Sequence, residues 1–338
     1  MRSGLDGGGL FGYKWGDHER GDSCKTLDAR RSWKGQAVKR PGLYLAATRP
    51  RFFPAVIVPV LVGAAAAWHA ERAFDPYRLL VALVAAVLYH GGMNALNDYF
   101  DHKSGADEAN RSPLTPFTGG SRVIQKGLVT PREVLALAVS LVTAGSAAGL
   151  YLAFLSGPLV VLIGAAGLLT GIFYSAPPLY LAGRGLGEAA VALAFGILAV
   201  TGSYCVQAGS IGAEAVAASL PLAFLIAAVL YINEFPDYEG DRTARKKTLI
   251  VRLGPRAARW GLGVIFACAY LSIAAAVAAG LLPAAALLAC LPAAAAARAG
   301  KGLVKEYAGG ERLIPHIKAT IAAHSLTGLI LSLSLALA

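Results

Sequence analysis

From about residue 52 onward the chain alternates long apolar runs with short polar connections. The runs fall at roughly 52–70, 79–99, 133–154, 157–175, 187–208, 214–235, 258–280, 282–299 and 314–337. Each approaches or exceeds the roughly 18 to 20 residues that a helix needs to cross a bilayer. The pattern predicts nine membrane-spanning helices. The 157–175 and 282–299 runs are short and rich in Ala and Gly, which predicts helices packed on neighbours rather than facing lipid alone. Residues 1–41 depart from the pattern: they are Gly-rich, polar and basic, with no helical period. They read as a disordered tail ahead of a membrane domain over 42–338. No apolar segment follows their charges, so they do not read as a signal peptide.

Composition narrows the class. Of 338 residues, 56% are hydrophobic and only 15% charged, against about 25% charged in an ordinary soluble chain. A soluble helical bundle could not hide that much apolar surface, so an all-α, polytopic membrane protein is expected. The four cysteines show no CxxC spacing and no pairing with His, which points to neither a disulfide framework nor a zinc site. The net charge of +11 is uneven, with eleven Lys/Arg against five Asp/Glu in residues 1–51. In a membrane protein a basic excess reports topology, and no nucleic-acid partner is expected. Lys34, Lys39, Arg40, Arg49 and Arg51 offer a second reading of the tail, as an anchor at the lipid surface.

The connections set an orientation. Lys103, Arg111, Arg122, Lys126 and Arg132 lie between runs two and three, and Arg242, Arg245, Lys246, Lys247, Arg252 and Arg256 between six and seven. Lys301, Lys305 and Arg312 lie between eight and nine. With nine alternating helices all of these fall on one side, with the basic N-terminal segment, which the positive-inside rule makes cytoplasmic. The expected location is the inner (cytoplasmic) cell membrane, in multi-pass form.

Two acidic constellations then stand out. On run two, Asn94, Asp98 and Asp101 are spaced i, i+4, i+7, on one helix face. On run six, Asn233, Asp237 and Asp241 are spaced i, i+4, i+8. Both sets sit at the cytoplasmic end of a helix, and the likeness hints at an internal repeat. Asp107 and Glu108 follow the first set, and Pro236 is expected to break or kink the second helix inside its motif. Carboxylates at membrane depth are costly unless paired or bound to a cation. Hard oxygen ligands in this number suit Mg2+, which bridges protein carboxylates to substrate phosphates. Arg122 and Lys126 after the first set, and Arg242, Lys246 and Lys247 after the second, are candidates to contact a diphosphate. The plain alternative, solvated caps and salt bridges at helix ends, explains either set alone better than it explains both together.

These motifs resemble those of the UbiA-type intramembrane prenyltransferases, over about residues 42–338. "NDYFDHKSGAD" from Asn97 to Asp107 is similar to the family's first aspartate-rich motif, and "DYEGD" from Asp237 to Asp241 to its second. Within the family the likeness is nearest to the 1,4-dihydroxy-2-naphthoate prenyltransferases of menaquinone synthesis. It is carried by Asn94, Asn97, Asp98, Asp101 and Asp107, by "IQKG" at 124–127 and by "DRTARKKTLIVRLG" from Asp241 to Gly254. "YSAPP" from Tyr174 and "GLGE" from Gly185 also resemble a family loop. The resemblance implies nine helices around a central cavity, capped by two cytoplasmic loops and open laterally to lipid. It implies Mg2+ held by Asp98, Asp101, Asp107, Asp237 and Asp241, with Asn94, Asn97 and Asn233 assisting at the substrate. It further implies transfer of a polyprenyl group from polyprenyl diphosphate to an aromatic acceptor, with loss of CO2 from the naphthoate to give demethylmenaquinone.

Other residues keep two readings. Tyr174 faces a prenyl cation or acceptor, or belongs to an interfacial tyrosine belt. Arg184 binds an acceptor carboxylate or marks topology, and Glu188 faces the cavity or caps its helix. The Gly-rich stretch from Pro116 to Arg122 is a backbone turn facing diphosphate or a plain loop cap. His90 lies one turn before Asn94 and reads first as a packed histidine; His316 and His324 lack a carboxylate partner in sequence and read as structural. The same chemistry on 4-hydroxybenzoate, homogentisate, a chlorophyllide, haem or a glycerol-phosphate lipid stays open. A cation-coupled transporter is the alternative of another class, although its ligands belong near the midplane rather than at one surface.

Overall fold

The computed structural model describes residues 40–110 and 113–338. The chain divides into two units, Met1–Gly42 and Leu43–Ala338. The tail expected over residues 1–41 lies outside the described residues apart from its last two positions, as does Arg111. The second unit is a helical bundle, and no strand occurs among the described residues.

A short helix, Arg40–Ala47, leads into nine apolar helices. They are α1 (Pro54–Glu71), α2 (Pro76–Ser104), α3 (Pro131–Ser156), α4 (Leu159–Ser175) and α5 (Gly187–Ala208), then α6 (Ala213–Thr243), α7 (Pro255–Ala278), α8 (Ala284–Glu306) and α9 (Ile314–Leu337). Among the described residues eight helices are long and apolar enough to cross a membrane; α4, with 17 residues, is the shorter ninth. Large side chains such as Leu162, Leu271 and Leu291 stand more than two-thirds exposed, a surface suited to lipid rather than water.

Local chemistry sets the helix ends. Asp75 starts α2: its carboxylate accepts from the backbone N–H of Tyr77 and Arg78, and Pro76 takes the first helical position. Gly105 ends α2 at φ +76°, a conformation that glycine adopts without cost. A reciprocal Thr130–Glu133 box opens α3. Against expectation, α6 is not broken by Pro236; one helix runs from Ala213 to Thr243 with Pro221 and Pro236 inside it. A proline costs the helix one donor and a ring contact, and here buried neighbours, Ile232 and Phe235 before it and Asp241 after it, hold the helix on both sides.

Burial distinguishes the helices. About 78% of the most apolar window of α6 is buried inside the bundle, against 17% for α3. α6 is therefore the central pillar and α3 a lipid-facing one. Small residues bring backbones together around it, as expected where packing rather than hydrophobicity drives association. A side chain at Gly196 on α5 would overlap the Ala223 backbone of α6, and one at Gly63 on α1 would overlap Val200 of α5. Ser203 adds a hydrogen bond between helices, donating to Val60 O at 2.6 Å.

Candidate active site

The last turns of α2 and α6 line one end of a cavity of about 410 Å³. The other end is apolar, with Ala86, Ile163, Leu168, Phe195, Leu198 and Ile226 in its wall. Ala86 and Asp101 both line it from α2, so at 1.5 Å per residue the cavity extends about 22 Å along that helix. Phe195 comes from a π-helical stretch of α5, Ala192–Leu198, the kind of local irregularity that recurs at functional sites.

At the polar end, α2 supplies Asn94, Asn97 and Asp101, and α6 supplies Asn233, Glu234, Asp237 and Asp241. The expected pairing of the two motifs across one space is thus present. Asn94 donates to Thr48 O at 2.9 Å. Asn97 donates to Asp101 Oδ2 at 2.9 Å and to Ser175 Oγ at 3.1 Å. Asp98 is 2% exposed but does not line the cavity; it accepts from the Arg49 guanidinium and from Ser121. Arg49 also donates to Asn97 Oδ1 at 3.1 Å and lines the cavity.

The connection after α2 folds over this end. Thr118, Gly119 and Gly120 line the cavity, so the Gly-rich stretch faces it. Gly120, at φ +74°, lies so close to Asp98 that a Cβ would stand 2.9 Å from its Oδ1. Asn110, from the same connection, donates to Asp237 Oδ1 at 2.7 Å and ties it to α6. Asp107 lines the cavity and accepts from Gln125 at 3.0 Å. Burial, reinforced by Asp101 and Asp98, pushes its carboxyl up to about 8. Lys246 stands 3.8 Å from Asp241. Burial works against its charge, yet Asp101 and Asp241 hold it well above the ordinary lysine range.

The expected basic residues separate. Lys246 lines the cavity, whereas Lys126 is exposed and off its wall. Arg242 points away too, 63% exposed, 3.8 Å from Glu239 and over the Tyr238 ring. Arg122 donates to Asp107 O at 2.5 Å, bracing the connection rather than entering the cavity. Tyr174 lines the cavity. His90 does so as well, buried between the Phe53 and Phe195 rings with no partner at Nδ1. Glu188 is buried off the wall with its carboxyl beside that of Glu234, and Arg184 turns back to Pro178 O at 2.9 Å. His316 does have a carboxylate neighbour: Glu306 Oε2 lies 3.2 Å from its Nε2.

Sequence reasoning missed Arg49 as a site residue, reading it as a surface anchor, and missed Asn110, Ser121 and Glu234. Glu234 carried a usable signal, an acid beside Asn233 within a buried apolar run. The others reach the site through folding of connections, which no spacing rule announces.

The model of the UbiA prenyltransferase family matches residues 56–311. The chain belongs to this family and is a prenyltransferase. UbiA prenyltransferase domain-containing protein 1 from Ailuropoda melanoleuca is 33% identical over 254 residues, 72% of this chain and 70% of that protein. The 1,4-dihydroxy-2-naphthoate octaprenyltransferase of Mycobacterium tuberculosis is 34% identical over 212 residues, 62% of this chain and 70% of that protein. A solved UbiA homolog from Archaeoglobus fulgidus, bound to GPP and Mg2+, shares the fold. Its TM-score is 0.61 at 17% identity, over 86% of this chain and 99% of that one.

Proposed function

We propose that the protein transfers a polyprenyl group from its diphosphate to an aromatic acceptor, in a Mg2+-dependent reaction at the polar end of the cavity. The observation that carries this reading is the joint lining of that end by carboxylates of α2 and α6, with an apolar wall below them. A diphosphate matches the first region and an isoprenoid tail the second.

The donor set fits Mg2+. Asp101 Oδ1 and Asn233 Oδ1 are buried with no hydrogen-bond partner, and hard oxygens are what this cation takes. Among the described residues no three His, Cys, Asp or Glu side chains converge on one point. Mg2+ is usually held by one or two carboxylates plus substrate phosphates, so a divided set agrees with a diphosphate between its halves. Asp101, Asp107, Asp237 and Asp241 would hold the ion, with Asp98 beside them balancing Arg49. When bound, Mg2+ neutralises charge on the diphosphate.

The chain's own residues do the rest. Lys246 and Arg49 donate to diphosphate oxygens and meet the charge that grows there as the allylic C–O bond breaks. Asn94, Asn97 and Asn233 orient the substrate head. The apolar wall keeps water from the prenyl cation, and the Tyr174 ring face offers it a π surface. A ring carbon of the acceptor then forms the new C–C bond. The named activity of the Mycobacterium relative supports 1,4-dihydroxy-2-naphthoate as acceptor; in this reading its carboxylate leaves as CO2 and the product belongs to menaquinone synthesis. The basic connections support a site facing the cytoplasm from the inner membrane.

The test uses purified protein in detergent with Mg2+ and a radiolabelled prenyl diphosphate. 1,4-Dihydroxy-2-naphthoate and 4-hydroxybenzoate are offered separately, each with an EDTA control. An EDTA-sensitive prenylated naphthoquinol, detected as the quinone after oxidation by air, is expected. Product from 4-hydroxybenzoate alone overturns the acceptor, and folded protein that yields no product from either overturns the reading.

A further inference from the structure

A second concavity, a groove of about 550 Å³, lies between α7 and α8 and shares no residue with the cavity of the reaction. Its floor is built from small residues, Gly263 and Ala267 on α7 facing Ala293, Ala297 and Gly300 on α8. The helices approach closely there, a Cβ at Gly300 standing 3.7 Å from Gly263 Cα, while a side chain at Gly263 would project into open space. The groove runs along α7 from Trp260 to Tyr270, about 15 Å at 1.5 Å per residue.

The groove's composition changes along its length. Tyr270 marks the apolar end. Trp260, Lys301 and Lys305 line the other, which lies on the side where α6 ends and α7 begins. Trp260 is 59% exposed, and both lysines are exposed, one helical turn apart. Neither makes an ion pair among the described residues. The adjacent carboxylate, Glu306, is occupied by His316. Arg259 adds a third cation, 5.3 Å over the rings of both Trp260 and Tyr307.

We propose that this groove binds an anionic phospholipid, with an acyl chain along Gly263 to Tyr270 and its phosphate at Lys301 and Lys305. Each part of the groove matches one part of that ligand. The trough runs between two helices long and apolar enough to cross a membrane, tryptophan prefers the interface, and basic pockets between spans take anionic headgroups. A second copy of the chain is a poorer occupant. In a membrane dimer the two-fold axis lies along the membrane normal, so residues of equal depth meet, and these lysines would face their own copies.

Native mass spectrometry of the full chain, purified in detergent with added phosphatidylglycerol or phosphatidylcholine, tests the proposal. The parent should retain phosphatidylglycerol in preference to phosphatidylcholine. One lysine near a headgroup is worth about five-fold, so the Lys301→Gln/Lys305→Gln variant should bind phosphatidylglycerol about thirty-fold more weakly. Gly263→Leu, whose Cβ would meet no atom within 4 Å, should fill the trough and weaken retention while leaving both charges in place. Equal retention of the two lipids by the parent overturns the proposal, as does undiminished phosphatidylglycerol binding in the double variant. Displacement of the bound lipid by a prenyl diphosphate at stoichiometric concentration would assign the groove to substrate instead. The readout is lipid retention, so it stands or falls apart from the transferase reaction.

Discussion

At the end of α2, Asp98 is enclosed by Arg49 and Ser121 while Asp101, one turn later, leaves an oxygen without a partner. At the end of α6, Asp237 accepts from Asn110, and Asp241 has Lys246 at 3.8 Å. The two sets are alike in residue type and spacing, yet they sit on helices of different standing. α6 is the buried pillar, whereas only a third of the α2 window is buried. α2 uses its first aspartate to hold the chain segments around it, and α6 receives its support from a connection that begins beyond α2. A repeated motif thus divides its work: on α2 Asp98 fixes the surroundings of the site beside Asp101, and α6 presents its carboxylates from a rigid post.

The largest effect should come from removing a carboxylate that lines the cavity. Asp101→Ala and Asp237→Ala should each lower turnover by about three orders of magnitude or more, a loss on the scale of metal-assisted charge stabilisation. Thermal unfolding should stay near that of the parent. A variant retaining a tenth of parental turnover would remove its carboxylate from the set that holds the diphosphate. Lys246→Met should follow, with kcat reduced by roughly 10²–10³, the range for losing one group that stabilises developing charge. Single-turnover rates at saturating donor are the measurement, and a change confined to KM would make Lys246 a ground-state contact.

Asp98→Ala sharpens the contrast further. It leaves Arg49 without its carboxylate, so stability should fall by about 3 kcal/mol, together with turnover. Asp237→Ala should lower turnover alone. Equal unfolding midpoints for these two variants would remove the division of labour proposed for the motifs. The smallest effects belong to Lys126→Gln and Arg242→Gln, within about three-fold of parental turnover, because both side chains stand off the cavity. A large loss in either would restore the assignment that spacing alone suggests.

The length of the apolar runs made the helices legible, since a span needs a long apolar run whatever surrounds it. The site was legible where chemistry is written along one helix, as in Asn94 to Asp101 and Asn233 to Asp241. It was illegible where side chains meet through folding of connections. Arg49 precedes α1 and Asn110 follows α2 by six residues, and only packing brings them to Asp98 and Asp237. Among the basic residues, charge reported the membrane side but not direction. Lys246 turns inward and Arg242 outward, although they are four positions apart. Pro236 leaves α6 unbroken, because tertiary support around that turn outweighs the local cost of a proline.

On the proposed mechanism both acidic helix ends hold one diphosphate through Mg2+. Equilibrium binding of a radiolabelled prenyl diphosphate to the purified protein, with and without Mg2+, tests it directly in the parent, Asp101→Ala and Asp237→Ala. Binding that needs Mg2+ in the parent and is lost in both variants is the predicted result. Binding of parental strength in EDTA, or in either variant, would contradict it.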